Sequence, residues 1–225
     1  MNIKTNITLS VCSSTFKKDP VSSELGKRIL RGAIDLIDEV GLEAFTFRKL
    51  ALKVSSTEAS VYRYFESKYH LMGYLVSWYW SWMQYRLTLK LANIEDPMDK
   101  LSRTITMLTE KIEEDSDFLF INEVKLSKIV VAESSKLILH KNVDESNEQG
   151  FFVDYKKFVQ IVSDIVLEYN PSYKYPHMLT STIIEGVHFQ YFFTEHLPKL
   201  TDVIEGENSI ETFYKEMLFN LIQKK

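Results

Sequence analysis

The sequence contains few of the residues that break or cross-link a chain: its 225 residues include seven glycines, five prolines and one cysteine, Cys12. A single cysteine cannot form a disulfide within the chain, so the cysteine content gives no indication of a secreted, disulfide-held fold. No stretch rich in Val, Ile and Thr alternates between apolar and polar residues as a half-buried strand would. Apolar residues make up 45% of the chain, which is enough for a buried core, and this composition predicts an all-α protein.

Long apolar segments are missing as well. The stretch from Ile3 to Val11 is too polar for the hydrophobic part of a signal peptide. No window of 18 apolar residues marks a membrane span. We therefore expect a cytoplasmic protein.

Motifs for catalysis and metal binding are also absent. There is no glycine-rich phosphate loop and no nucleophile elbow. The five histidines are scattered, and none has a cysteine or carboxylate partner in a recognisable metal-ligand pattern. They are His70, His140, His177, His188 and His196. We predict surface or capping roles for them, no catalytic or metal site, no cofactor, and a protein that is not an enzyme.

Charge is distributed unevenly along the chain, although its formal net value is only −4. Residues 1–75 contain 11 basic and 8 acidic side chains, a formal charge of +3, whereas the other 150 residues contain 16 and 23, a formal charge of −7. A basic segment in an acidic protein is compatible with a nucleic-acid partner for that segment, but charge alone is weak support for one.

The segment Phe45–Phe65 predicts two short helices joined by a tight turn. Thr46 is a suitable N-cap because its hydroxyl can accept a hydrogen bond from the first helical turn. Leu50 and Val54 follow at helical spacing, which gives the first helix an apolar face. The hydroxyl residues Ser55–Thr57 interrupt this pattern, since such residues favour turns and caps. Two short helices connected in this way form a helix-turn-helix, whose second helix fits the DNA major groove.

The run Arg28–Leu71 resembles the DNA-binding domain of the TetR family of bacterial transcriptional regulators. Its most specific part is the ordered string Tyr-x-x-Phe-x-x-Lys-x-x-Leu, which extends from Tyr62 to Leu71. The other matching residues are Ile29, Leu30 and Ala33, the Val40-Gly41-Leu42 turn, Phe45-Thr46, Arg48 to Ala51, Ser60, Val61, and Ser67. The resemblance implies an all-α fold of about 9–10 helices, with an N-terminal three-helix helix-turn-helix head and a C-terminal helical bundle.

Three regions follow from this resemblance and from the composition. Residues 1–21 are expected to form a flexible N-terminal tail, and the alternative for Lys17 and Lys18 within it is an arm that grasps DNA. Residues 22–75 are expected to form the DNA-binding domain. Residues 76–225 are expected to bind an effector and to dimerise.

The turn departs from the family pattern, which commonly reads Ala-Gly-Val-Ser-Lys-Gly-Thr. Here the turn is Val54-Ser-Ser-Thr-Glu-Ala-Ser60. Without the glycine, Ser55 either avoids a positive φ or pays a modest strain. Glu58 also places an acid where a basic side chain often touches phosphate.

Family position and side-chain chemistry together predict the DNA contacts. The resemblance assigns a hydroxyl, a phenol and an ammonium to phosphates: Thr46, Tyr62 and Lys68. It assigns three further side chains to base edges: Arg48, Ser60 and Arg63. Thr57 and Glu58 complete the predicted contact set.

An aromatic-rich helix is predicted from Lys68 to Leu91, and it contains all three tryptophans. The simpler interpretation of its rings is core packing and a joint between domains. Family members, however, bind small and often hydrophobic molecules within the second domain, and a large apolar pocket suits such ligands. The predicted effector pocket comprises Trp78, Trp82, Tyr85, Met107, Phe118, Phe120, Phe152, Tyr155 and Phe158.

The last two long helices are predicted at 176–196 and 209–223, and they resemble the helices with which the family dimerises. Two such helices from each subunit form a four-helix interface. The predicted interface residues are Ile183, Ile184, Val187, Tyr191, Phe213 and Met217. Periodicity alone cannot separate an interface stripe from a core stripe.

These features together predict a homodimeric repressor that leaves a palindromic DNA operator when a small hydrophobic or aromatic effector binds. One alternative is a helical interaction or structural protein that has lost DNA binding, which Glu58 and the weakly charged head would suit. An enzyme built on a helical bundle is disfavoured by the lack of a catalytic motif.

Overall fold

The computed structural model describes residues 9, 11, 13–114, 118 and 120–223, and these residues form helices and loops without a strand. The all-α prediction is therefore confirmed for this part of the chain. It contains eleven α-helices, against the 9–10 predicted, and three short 3₁₀ turns. The helices are α1 Glu24–Ala44, α2 Phe47–Lys53, α3 Glu58–Tyr62, α4 Lys68–Lys90, α5 Pro97–Leu108, α6 Glu123–Glu133, α7 Ser135–Ile138, α8 Val143–Glu148, α9 Val153–Tyr169, α10 Pro176–His196 and α11 Ser209–Leu221.

The chain divides into two compact units. The first comprises Met1–Trp82 and Ile112–Tyr155, and the second comprises Met83–Lys111 and Lys156–Lys225. The predicted head, residues 22–75, lies within the first unit. Residues 76–225, predicted as one second domain, contribute to both units. None of the described helices is long and apolar enough to cross a bilayer.

Helix α1 is the long core helix of the first unit. Ser23 caps it, since its Oγ accepts the N–H of Gly26 at 3.1 Å. Gly41 has a positive φ of +74° and bends the helix without ending it, since one further turn runs to Ala44.

Helix α6 packs along α1 within the same unit. The Lys125 ammonium of α6 pairs with the Asp35 carboxylate of α1. At the bend, the Glu133 carboxylate accepts the Leu42 N–H at 3.2 Å. A side chain of α6 thus satisfies a backbone donor that the bend at Gly41 leaves outside the helical pattern.

The segment before α1 is packed against the first unit from residue 13 onward. Thr15 and Pro20 are buried, and the Lys17 N–H donates to the Tyr64 carbonyl at 2.7 Å. The Phe16 ring meets the Tyr74 ring edge-on, with 5.8 Å between centroids. This part of the predicted flexible tail is therefore held by specific contacts, whereas most of residues 1–12 lie outside the described part of the chain.

The second unit has its own core, formed by α5, the later part of α9, α10 and α11. Leu101 and Ile105 of α5 meet Ile183 of α10 and Leu218 of α11 in one buried cluster. The approach of α10 to α11 requires a glycine, because a Cβ at position 186 would lie 2.2 Å from the Tyr214 hydroxyl oxygen.

Candidate nucleic-acid interface

Helix α2 begins as the sequence predicts. Thr46 is its N-cap, and the Thr46 Oγ1 accepts the Lys49 N–H at 3.2 Å. Phe47, Leu50 and Ala51 are buried, so one face of this seven-residue helix is fixed against the first unit. Arg48 lies on the opposite, exposed face.

The turn after α2 is a Schellman motif. The Ser56 N–H donates to the Ala51 carbonyl at 2.9 Å, and the Ser55 N–H donates to the Leu52 carbonyl at 3.2 Å. Ser55 occupies the left-handed position of this motif with φ +52°. Of the two possibilities that the missing glycine left open, the chain adopts the strained one.

Helix α3 is short and is capped at its first turn. The Thr57 Oγ1 accepts the Ser60 N–H at 3.2 Å and lies 2.9 Å from the Ser60 Oγ. Val61 is fully buried and anchors the helix. The opposite face, with Glu58 and Arg63, is exposed.

Tyr62 is the last residue of α3, and its side chain contacts α2. Its ring meets the Phe47 ring edge-on at 4.9 Å, and 46% of the residue remains exposed. The buried Phe47 therefore fixes the position of a phenol that is open to solvent. An exposed, fixed hydroxyl is suited to a phosphate oxygen.

Lys68 has a role within the fold that its motif position did not reveal. Its Nζ donates to the carbonyls of Leu42 and Glu43 at 2.9 and 3.2 Å. These carbonyls follow the bend in α1 and precede the N-cap of α2. Because an ammonium has three N–H donors, one remains for a phosphate after these two bonds.

Two lysines of the predicted tail, for which a DNA-grasping arm was the alternative, also lie in this region. Lys17 is exposed and is fixed through its backbone N–H to the Tyr64 carbonyl. The Lys18 Nζ lies 5.3 Å from the centre of the Tyr64 ring, which is within cation–π range. The adjacent lysines were visible in the sequence, but nothing there indicated that their segment packs beside the end of α3.

The predicted effector residues are divided between the two units. Six lie in the first: Trp78, Trp82, Phe118, Phe120, Phe152 and Tyr155. Three lie in the second: Tyr85, Met107 and Phe158. Within the first unit, the buried Trp78 ring meets Phe118 edge-on at 5.3 Å and stacks with Trp82 at 6.3 Å. These contacts fit the core-packing interpretation, and the effector pocket stays a prediction.

Half of the predicted dimer residues face inward in the fold of their own chain, and their place in an interface stays a prediction. Ile183, Ile184 and Val187 are 3%, 0% and 1% exposed, so the fold of their own chain already covers them. The reason is geometric: a stripe at helical spacing has the same pattern whether it meets a core or a partner.

The other predicted dimer residues differ from one another. Phe213 is 56% exposed, whereas Met217 is half-buried. Tyr191 is half-buried, and its hydroxyl donates to the Thr109 carbonyl. Burial and the nearby Glu211 and Glu110 raise the pKa of Tyr191 to about 12, which keeps this donor protonated.

An exposed apolar surface does exist on these helices, and it shares only Phe213 with the predicted interface. It contains large side chains of α10 and α11 that are more than half exposed. They are Met178, Phe189, Phe213 and Leu221. Phe189 also stacks on Phe193 with 5.9 Å between ring centres. We refer to these five residues as the apolar face.

Within the described part of the chain, no group of three His, Cys, Asp or Glu side chains is placed to hold a metal ion. The side chains that the structure leaves exposed form two surfaces, a largely polar one on α2–α3 and the apolar face on α10–α11.

Comparison with known proteins agrees with this geometry. Residues 29–75 match the family model described as bacterial regulatory proteins, tetR family. No curated protein sequence matches the chain significantly.

Several solved structures have the same fold. AibR in complex with isovaleryl coenzyme A and operator DNA has 15% sequence identity and a TM-score of 0.58, over 88% of this chain and 98% of that one. The ketosteroid transcriptional regulator KstR2 of Mycobacterium tuberculosis has 16% identity and a TM-score of 0.53, over 89% and 93%. The superantigen PfiT has 17% identity and a TM-score of 0.60, over 92% and 100%. At these identities the likeness concerns the fold, and it extends well beyond the segment that matches the family model. Residues 29–75 thus match the family's DNA-binding segment, and the chain around them has the fold of the solved structures named above.

Proposed function

We propose that this protein is a cytoplasmic transcriptional repressor that binds a palindromic operator as a homodimer and is released from it by a small hydrophobic or aromatic molecule. The observation that carries the proposal is the exposed surface of α2 and α3. Both helices are capped by threonine hydroxyls, and both bury one face while the other remains open. That is the arrangement a helix-turn-helix requires to enter a major groove.

Contacts to phosphate would come from three groups with fixed positions. Thr46 stands at the start of α2, where free N–H groups also favour phosphate. Tyr62 is held by Phe47, and Lys68 by the two carbonyls that it caps. These contacts would set the register of the protein on DNA without reading its sequence.

Contacts to base edges would come from exposed side chains of the same two helices. Arg48 and Arg63 can each bond a guanine through two donors. Ser60 can accept or donate, although its hydroxyl lies 2.9 Å from that of Thr57, so these two hydroxyls would act as a pair. Glu58 completes this surface, and as an acid in the first turn of α3 it also stabilises the helix through the dipole.

The homodimer is supported by the apolar face. Large aromatic side chains exposed on two adjacent helices are typical of a surface that meets a partner. A two-fold dimer would then read two half-sites roughly one helical turn apart.

Release by an effector is the step that rests most on the likeness in fold. AibR was solved with isovaleryl coenzyme A and operator DNA, and KstR2 is a ketosteroid transcriptional regulator. For this chain, the many aromatic side chains around Trp78 and Trp82 favour a hydrophobic or aromatic effector. An effector acts only if it binds one arrangement of the protein better than the other.

The test is selection of fragments of the source genome by the full-length protein at physiological salt, followed by sequencing. Arg48→Ala and Arg103→Ala are run in parallel. Arg103 is the matched control because it is an exposed arginine in the second unit, ion-paired with Asp99 at 2.9 Å. The wild type should select a two-fold symmetric motif. Arg48→Ala should relax one position in each half-site by about 1–3 kcal/mol, and Arg103→Ala should select the wild-type motif.

The rival function is an interaction protein that has lost DNA binding, and the exposed acid Glu58 favours it. If the wild type selects no motif but Glu58→Lys does, the protein has kept the α2–α3 surface but has lost its affinity for DNA. If neither selects a motif, the repressor proposal is wrong.

A further inference from the structure

A cavity of about 490 Å³ opens in the first unit, and no residue of α3 lines it. Its wall comes from three places in the chain. Leu42 and Glu43 lie at the end of α1, residues 67–70 span the N-cap and first turn of α4, and further lining residues lie between positions 136 and 151, from α7 through α8. The volume lies within the range of sites that hold small organic ligands.

The apolar part of the wall is built from fixed side chains. Phe151 is buried, and its ring meets the His70 ring edge-on at 5.2 Å. Gly73 admits this ring, because a Cβ there would lie 2.7 Å from a Phe151 ring carbon. Leu42 and Tyr69 line the same cavity.

The charged part of the wall has an excess of positive charge. It contains three lysines, Lys68, Lys136 and Lys141, against two acids, Glu43 and Glu145. One pair cancels, since the Lys136 Nζ lies 3.5 Å from the Glu43 carboxylate, and it also lies 2.7 Å from that of Glu133 outside the cavity wall.

The two remaining lysines have no acidic partner among the described residues. The Lys68 Nζ donates to neutral carbonyls and keeps one donor. Lys141 is exposed at the cavity and makes no ion pair with any described residue. Against these two cations stands one acid, Glu145, which accepts a weak bond from the Gln149 amide at 3.5 Å.

We propose that this cavity binds a small organic anion in which a carboxylate, sulfonate or phosphate group is attached to an apolar ring or chain. Lys68 and Lys141 meet the charged group, and Leu42, Tyr69 and Phe151 contact the apolar part. An inorganic anion alone would leave most of the volume and the apolar wall unused. A cation would have to be held by Glu145 against two uncompensated ammonium groups.

This site is separate from the aromatic interior assigned to the effector. It shares Lys68 with the proposed DNA surface, so the one remaining donor of Lys68 can meet either a DNA phosphate or the anion in the cavity, and the site is tested in the absence of DNA. The predicted effector residues and the cavity wall share no residue. The proposal therefore concerns a second ligand and can be tested on the free protein.

The probe is 1-anilinonaphthalene-8-sulfonate, an aromatic anion, and its uncharged counterpart N-phenyl-1-naphthylamine reports apolar binding alone. Both are titrated by fluorescence into the full-length protein and three variants. Lys141→Gln removes a cavity cation, Ser146→Trp fills the cavity from α8, and Lys128→Gln removes an exposed lysine of α6 outside the cavity wall. Circular dichroism melts check that each variant is folded.

The wild type should bind the sulfonate more tightly than the uncharged compound. Lys141→Gln should weaken sulfonate binding about three- to fivefold, as expected for one partly exposed ionic contact, and leave the uncharged compound unaffected. Ser146→Trp should weaken both, and Lys128→Gln neither. Equal sulfonate affinity in all four proteins would overturn the proposal. It would also be overturned if Lys141→Gln weakened binding of random duplex DNA as much as binding of the sulfonate, because the cavity would then belong to the nucleic-acid surface.

Discussion

The α2–α3 surface and the α10–α11 surface differ in what stabilises their helices. Helices α2 and α3 have seven and five residues, too few to be stable alone. They depend on threonine caps, a Schellman turn and few buried residues, three in α2 and only Val61 in α3. Helix α10 has 21 residues and α11 has 13, and they are held by a continuous buried stripe while exposing a second, aromatic one.

This difference indicates what each surface can bind. On α2–α3 most apolar side chains are buried, with Leu52 at 75% exposure as the exception, and the other exposed side chains carry hydroxyl, phenol, guanidinium, ammonium and carboxylate groups. Such a surface suits a polar, charged partner. On α10–α11 apolar side chains remain after the core is complete, and a surface of that kind suits an apolar partner such as a second copy.

The largest effect is expected from a substitution in the buried stripe of α10, which packs against the core of its own chain. Val187→Arg would bury a charge without a partner at a position that is 1% exposed, and we expect a loss of about 4 kcal/mol or more in unfolding free energy. Urea unfolding followed by circular dichroism measures it. A folded, soluble monomer with wild-type stability would show that Val187 faces a partner after all.

The second largest effect is expected on dimerisation, from a substitution in the apolar face that leaves the buried core unchanged. Phe213→Arg lies at a position that is 56% exposed, so the fold should tolerate it, whereas dimerisation should weaken by about 2 kcal/mol or more if the ring is an anchor of the interface. Light scattering at micromolar concentration should show a dimer for the wild type and a monomer for the variant. Glu216→Arg, another exposed residue of α11, is the control. A wild type that is already monomeric contradicts the proposed assembly.

The two surfaces differ in how far the sequence predicts them. The sequence predicts that hydroxyl residues such as Thr46 and Thr57 cap the short helices, because capping is local and joins residues three positions apart. The inward orientation of Ile183, Ile184 and Val187 was not, since the same period describes a core and an interface.

Two other features escaped prediction for related reasons. Helix α8, Val143–Glu148, buries none of its residues, so its sequence has no apolar stripe that would predict a helix. The packing of Lys17 and Lys18 beside Tyr64 joins segments more than 40 residues apart, which no local pattern encodes.

A smaller effect on DNA affinity is expected from the two lysines of the segment before α1, and it would show that the DNA-binding surface includes that segment. Lys17→Ala and Lys18→Ala should each weaken binding to all DNA sequences alike and reduce the slope of log affinity against log salt by about one, if each lysine meets a phosphate. Fluorescence anisotropy over a salt series measures both quantities. Lys174→Ala, an exposed lysine in the second unit, should leave the slope unchanged. An unchanged slope for the first two variants would restrict the surface to α2, α3 and α4.

The smallest effect concerns the strained turn. Ser55→Gly should relieve the cost of φ +52° and, after the added flexibility of the unfolded chain is subtracted, stabilise the protein by about 0.5 kcal/mol. Ser56→Gly, one position on and without a positive φ, should instead be neutral or destabilising. Thermal unfolding of the two variants decides the matter: if both lower the midpoint equally, the strain at Ser55 is negligible.

The central claim is that the α2–α3 surface reads DNA as part of a symmetric pair. It is tested most directly by hydroxyl-radical footprinting of the wild-type protein on a selected fragment and on a shuffled copy of it, at physiological salt. The account predicts two protected half-sites about one helical turn apart on the selected fragment, related by two-fold symmetry, and none on the shuffled copy. Equal protection of both fragments, or no protection of either, would contradict it.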